Sequence, residues 1–209
     1  MILAGFFGAL LFLALVIGDW FYFSGQSAQA GAYGCRIAGA PDQAPWPSLA
    51  EIGSRFDADG RLRLPNGFAH FFPTERRIVL RSQQGFLPSR FRTAWPLKAS
   101  LELAPEERTA RVTCIKRIPW CSAILTSLWF LTVGAGTLTF VIMYLTDGGL
   151  ASLQGILMGL GILGIGLLVL AFGLVTIAFA YRLENHRLTL AYQDLRAALE
   201  KTSDHQDSH

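Results

Sequence analysis

One histidine and a group of basic side chains are the residues of this chain whose types could serve a reaction or a ligand. His70 is the single histidine between residues 24 and 118, and Asp57 and Glu75 are the acids that could support it as a general base. Such a base needs a nucleophile beside it. No nucleophile motif accompanies His70, so its expected role is structural. Arg76, Arg77, Arg81, Arg90 and Arg92, with Lys116 and Arg117, make the stronger candidate site. On a domain held against a bilayer they would contact anionic headgroups, each contributing about 1 kcal/mol near the surface. A solvated sheet face that also sets topology is the plainer account of the same charges. Phe86, Phe91 and Trp95 interleave with the arginines. That pattern also occurs in nucleic-acid binding, but core packing explains it equally well, and no nucleic-acid partner is expected.

The remaining reactive groups point to structure. Asp19 lies beside Trp20 and Tyr22 at the end of an apolar run. An acid among interfacial aromatics belongs at the headgroups; buried deeper, it would be a proton carrier. Cys35, Cys114 and Cys121 show no CxxC and no Cys/His ligand spacing, so they form neither a disulfide framework nor a zinc site. A Cys35–Cys114 bridge would require an oxidising compartment. Residues 57–60 (Asp-Ala-Asp-Gly) make a turn with too few ligands for calcium. His205 and His209 lie in a polar tail and are expected to be solvated. No cofactor or metal site is expected.

These side chains hang on three apolar runs. The chain has 209 residues, of which 52% are hydrophobic and 16% charged. Soluble domains carry about 25% charged residues. Residues 2–23, 119–146 and 150–181 each suffice for a transmembrane helix, which takes about 20 residues. The first is expected to be a retained helix, because it lacks a basic leader and is too long for a signal core. In the third, Ser152, Gly159, Gly166, Gly173 and Ala180 recur every seven residues, and Gly155 adds a GxxxG step with Gly159. A seven-residue repeat drifts only about 20° per repeat, so it forms a seam. Small residues there allow close helix packing. The expected partner is the preceding span across the turn 147–149; a second copy or another membrane protein is the alternative.

Between the first two runs, residues 24–47 read as a linker and 48–118 as the extramembrane domain. Ser48 and Glu51 form a capping box for a short helix. Alternation predicts strands at 61–64, 68–72, 76–82, 95–103 and 109–117, with an irregular loop at 83–89 and a hairpin turn at 104–107. About five strands would form one mainly antiparallel sheet with one buried face. Residues 182–201 read as an amphipathic helix with Leu188, Tyr192, Leu195 and Leu199 on one stripe. Residues 202–209 read as disordered. The fold class is therefore integral membrane α+β: three transmembrane helices, a small antiparallel β domain inserted between the first two, and an amphipathic C-terminal helix.

All 18 Lys and Arg lie between residues 24 and 118 or after 181, with 14 basic against 8 acidic residues in the domain. The positive-inside rule then predicts an outside N-terminus, with the domain and tail on the cytoplasmic side of the cell inner (plasma) membrane. The expected function is that of a non-enzymatic accessory, assembly or scaffold component. Its expected partners are the lipid bilayer and a membrane protein or second copy, met through the third span or the C-terminal helix. The first alternative is a membrane enzyme or signalling protein using His70 and the arginines between 76 and 92 on a lipid or phosphorylated substrate. The second is a small transport subunit working as an oligomer.

Overall fold

The computed structural model describes residues 2–25, 27–42, 46–82, 93–105, 110–149 and 151–200. The loop at 83–89, Arg90, Arg92, the turn residues 106–107 and the tail 202–209 lie outside them. The described chain is α+β. Helix α1 (Ile2–Ser24) leads into the single turn α2 (Ala28–Ala32) and strand β1 (Cys35–Pro41). Helix α3 (Leu49–Gly53) precedes β2 (Arg61–Leu64), β3 (Gly67–Phe72), β4 (Arg77–Ser82), β5 (Lys98–Pro105) and β6 (Ala110–Ile118). Two long helices follow, α4 (Trp120–Thr146) and α5 (Leu153–Glu200). Three of the helices are long and apolar enough to cross a membrane.

The sheet has six antiparallel strands in the order β1-β6-β5-β4-β3-β2. Strands β2 to β6 follow the sequence alternation. The extra strand is β1, inside the expected linker at 24–47. Its Ala-Gly-Ala-Pro stretch has little strand propensity. Pairing with β6 makes it a strand, with a register shift between Arg36 and Ala38. The capping box of α3 forms: Ser48 Oγ accepts from the Glu51 N–H at 3.4 Å, and Glu51 Oε2 accepts from the Ser48 N–H at 2.9 Å.

The chain forms two compact units. The first comprises residues 1–121 and 182–209. Its core lies on one sheet face, where Ala69, Phe71, Ile78, Leu80, Leu101 and Val112 meet Ile52 of α3 and Leu188, Ala191, Leu195 and Leu199 of α5. The tail stripe is therefore covered by the sheet. It is also not a separate element, because α5 runs unbroken through the expected boundary at 181. The approach is close at Gly67, where an added Cβ would lie 2.8 Å from the Ala191 Cβ. The Asn66 N–H donates to Asp194 Oδ2 at 2.8 Å, which ties the β2–β3 turn to the same helix. The second sheet face was expected to be open. Instead Phe23 and Ala30 are buried there, and a Cβ on Gly31 would lie 2.5 Å from Val79 Cγ2.

The second unit is residues 122–181. Within it Gly159 faces Tyr144, Gly166 faces Thr137, and Gly173 faces Trp129 and Phe130. The α4 partners Tyr144, Thr137 and Phe130 also step by seven. A Cβ on Gly173 would come within 2.5 Å of the Trp129 ring, and one on Gly166 would overlap Thr137. Gly155 packs against the Gly149 carbonyl. Ser152 plays a different part from the seam glycines: its Oγ accepts from the Gly155 N–H at 3.1 Å, capping α5. Ala180 is buried.

Candidate functional site

Strand register brings four basic residues into line. Arg36 stands opposite Arg117, Arg117 opposite Lys98, and Lys98 opposite Arg81. Directly opposed residues share a face, and like charges there are destabilising. The compensation comes from α1, which ends beside this row with no basic residue in its own last turn. The last four carbonyls of a helix lack internal partners, and they carry the negative end of its dipole. Arg81 donates to three carbonyls, from Nη1 to Ser24 at 2.6 Å and from Nη2 to Phe23 at 2.6 Å and Gly25 at 2.8 Å. Lys98 Nζ donates to the Phe23 carbonyl at 3.4 Å and to the Ala30 carbonyl, and lies 4.1 Å from the centre of the Phe23 ring. Arg117 Nη1 donates to the Gly34 carbonyl at 3.2 Å. Arg81 thus supplies the cationic cap that α1 lacks, and Lys98 adds hydrogen bonds to the same joint.

The middle of this row is dry. Arg81 is 8% exposed and Lys98 1%. Burial pulls the Arg81 guanidinium down to about 10. Burial, with repulsion from Arg81 and Arg117, pulls the Lys98 ammonium down to about 7. On α1 itself, Asp19 accepts from the Tyr33 hydroxyl at 2.5 Å and from the Cys121 N–H at 3.0 Å. Cys121 lies in the first turn of α4, where free N–H groups and the dipole favour an acid. One carboxylate thereby links the end of α1 to the start of α4. The bond to this carboxylate pushes the Tyr33 hydroxyl up to about 12.

The chain matches no protein-family model, no curated protein and no solved structure. What the site does therefore rests on its geometry. A second polar cluster joins α5 to the sheet. Asp42 accepts from Trp46 Nε1 at 2.8 Å and from the Tyr192 hydroxyl. Burial and the Asp42 carboxylate raise the Tyr192 hydroxyl. A groove of about 300 Å³ runs alongside, lined in part by Ala38, Ala40, Cys114, Lys116 and Leu188. Burial raises the Cys114 thiol, which makes it a poor nucleophile.

Of the basic residues singled out in the sequence, the described ones have different partners. Arg81 is buried on carbonyls. Arg117 belongs to the same row. Arg77 pairs with Glu102 at 3.3 Å. Lys116 Nζ donates to Asn185 Oδ1 at 2.5 Å. Arg76 occupies a turn with φ of 48°. His70 stacks on Phe72 at 4.2 Å, and burial and Arg61 lower its pKa. Asp57, its suggested partner, accepts from the N–H groups of Asp59 at 3.0 Å and Arg61 at 2.6 Å and is committed to its turn. None of the three cysteines is in a disulfide. Cys35 pairs with Ile118 and Cys114 with Ala40, which separates the two by roughly 15 Å along the strands, too far for a disulfide. Among the described residues no group of three or more His, Cys, Asp or Glu is placed to hold a metal ion.

Sequence reasoning missed Lys98, Tyr33 and Asp42. Lys98 carried a signal: it sits between Leu97 and Ala99 in a strand of strict alternation. That placed it on the second face. What hid its role was the assumption that the second face meets water.

Proposed function

We propose that this chain is a multi-pass membrane protein of the cell inner membrane that acts as an accessory, assembly or scaffold component. Its α1, α4 and α5 cross the bilayer, with the N-terminal end of α1 outside and the sheet in the cytoplasm. The observation that carries this reading is how the sheet is joined to its helices. One face is completed by the last turns of α5, and the other clamps the carbonyl end of α1 through Arg81 and Lys98. Each of these joints spends buried polar or apolar groups on holding position. A display platform needs such fixed placement, whereas a tethered domain does not. The shared unit also supports a common side for the sheet and the end of α5, as three crossings require.

The test is to purify the full chain in mild detergent after brief cross-linking in cells. The expected result is one membrane protein, or a second copy of this chain, recovered in fixed ratio. Releasing the sheet from α1 by Arg81→Met should lower that ratio while the chain remains inserted. A chain recovered alone, or a local loss of a measurable activity on His70→Ala with the ratio unchanged, would count against a scaffold.

A further inference from the structure

We propose that the joint between the end of α1 and the sheet is a proton-sensitive latch, closed when Lys98 is an amine and loosened when it is an ammonium. The joint can close around a neutral Nζ, and burial between Arg81 and Arg117 disfavours a charged one. Nζ has two carbonyl acceptors, Phe23 and Ala30, and a neutral amine has two hydrogens to give them. The Phe23 carbonyl is already shared with Arg81 Nη2. A further charge on Nζ therefore gains little from it. At 1% exposure there is no water to solvate the ammonium, and an ionised group in such a place is costly unless it is paired.

Four elements surround Lys98, and three of them carry charged groups. Arg81 on β4 and Arg117 on β6 oppose its protonation, while Asp19 on α1 favours it. Asp19 is already engaged by Tyr33 and by the Cys121 N–H at the start of α4. The Phe23 ring favours the ammonium. The turn α2 offers only the Ala30 carbonyl, since Ala28–Ala32 contains no titratable residue. The carbonyl end of α1 also favours the ammonium, but Arg81 already donates to its Phe23 and Ser24 carbonyls; two cations against one engaged acid then leave burial and repulsion in control. The closed amine titrates near 7 against 10.5 for a hydrated lysine. The open joint therefore binds more protons, and acid favours opening. Between those two values the opening equilibrium rises by up to tenfold per pH unit, which gives roughly tenfold from pH 8 to pH 6 and about ninety-fold from pH 9 to pH 6.

Hydrogen exchange on the full chain in nanodiscs, corrected for intrinsic rates, reads this directly at Gly25, Gly31 and Tyr33. Their N–H groups donate to the carbonyls of Tyr22, Ser27 and Ala30 within the joint. Wild type should lose protection there by those factors on acidification, while amides of β3 keep theirs. Lys98→Met should remove the step and remain protected at every pH. Lys98→Arg should be poorly protected throughout. Equal corrected protection of wild type at pH 6, 8 and 9 would overturn the latch, as would a step that survives in Lys98→Met. The wild-type series decides the matter even where Lys98→Met does not fold. It also reports on the latch whether or not the chain binds a partner.

Discussion

Arg81 and Val112 show what a single residue contributes on either face of the sheet. Arg81→Met would remove the Arg81 donors from the part-buried Ser24 and Gly25 carbonyls and leave the Phe23 carbonyl to Lys98 alone. Each buried carbonyl left unpaired costs about 1–3 kcal/mol, partly offset because a desolvated cation is also removed. The expected net loss is roughly 2 kcal/mol, read as a lower thermal midpoint in detergent. Lys98→Met should cost less, because burial already favours its neutral form. On the core face, Val112 is fully buried opposite Leu103. Val112→Asp places an unpaired carboxylate among apolar side chains and should unfold the domain. Thr113→Asp sits one position on, facing Glu102 on the other side of the sheet, and should cost less than about 1 kcal/mol. Circular dichroism and protease resistance of the two variants distinguish these outcomes. Equal losses would mean that the two faces are not divided as described.

At the scale of elements, the glycine seam of α5 and the strands make a useful contrast. Gly166→Leu should lower thermal stability, because even a Cβ there meets Thr137 and a branched side chain needs still more room. Leu167→Phe, on an exposed position next to it, should be near neutral. If both match wild type in stability and oligomeric state, the seam is not a packing surface. The seven-residue spacing of this seam was legible in the sequence, as were β2 to β6 and the cap of α3, because period and capping chemistry are local. Strand β1 was not, since Ala38, Gly39 and Ala40 carry no pattern and become strand only against β6. The tail stripe at Leu188, Leu195 and Leu199 was legible as apolar. Its partner was not, because periodicity states that a face is buried and not which element covers it. The same limit hid the clamp: Arg81 read as a surface charge until the end of α1 was seen to lie over it.

At the scale of the whole molecule, the proposed topology makes all of the sheet cytoplasmic. Cys35 and Cys114 should then escape a membrane-impermeant thiol reagent on intact cells and react after permeabilisation and unfolding. Both are free and partly exposed in the folded protein. Labelling of Cys35 on intact cells would reverse the orientation. The wider claim is that the sheet is not an autonomous domain, because its core is finished by a helix far away in sequence. Leu188 and Leu195 are 2% and 0% exposed, and losing one such leucine side chain typically costs about 2–5 kcal/mol. Losing the stripe should therefore exceed the stability of a small domain. The most direct measurement is limited proteolysis of a chain stopped after Arg187, compared with the full chain at equal membrane insertion. The full chain should yield a resistant fragment spanning the sheet, and the shortened chain should yield none. A fragment of the same size and resistance from both would contradict the account.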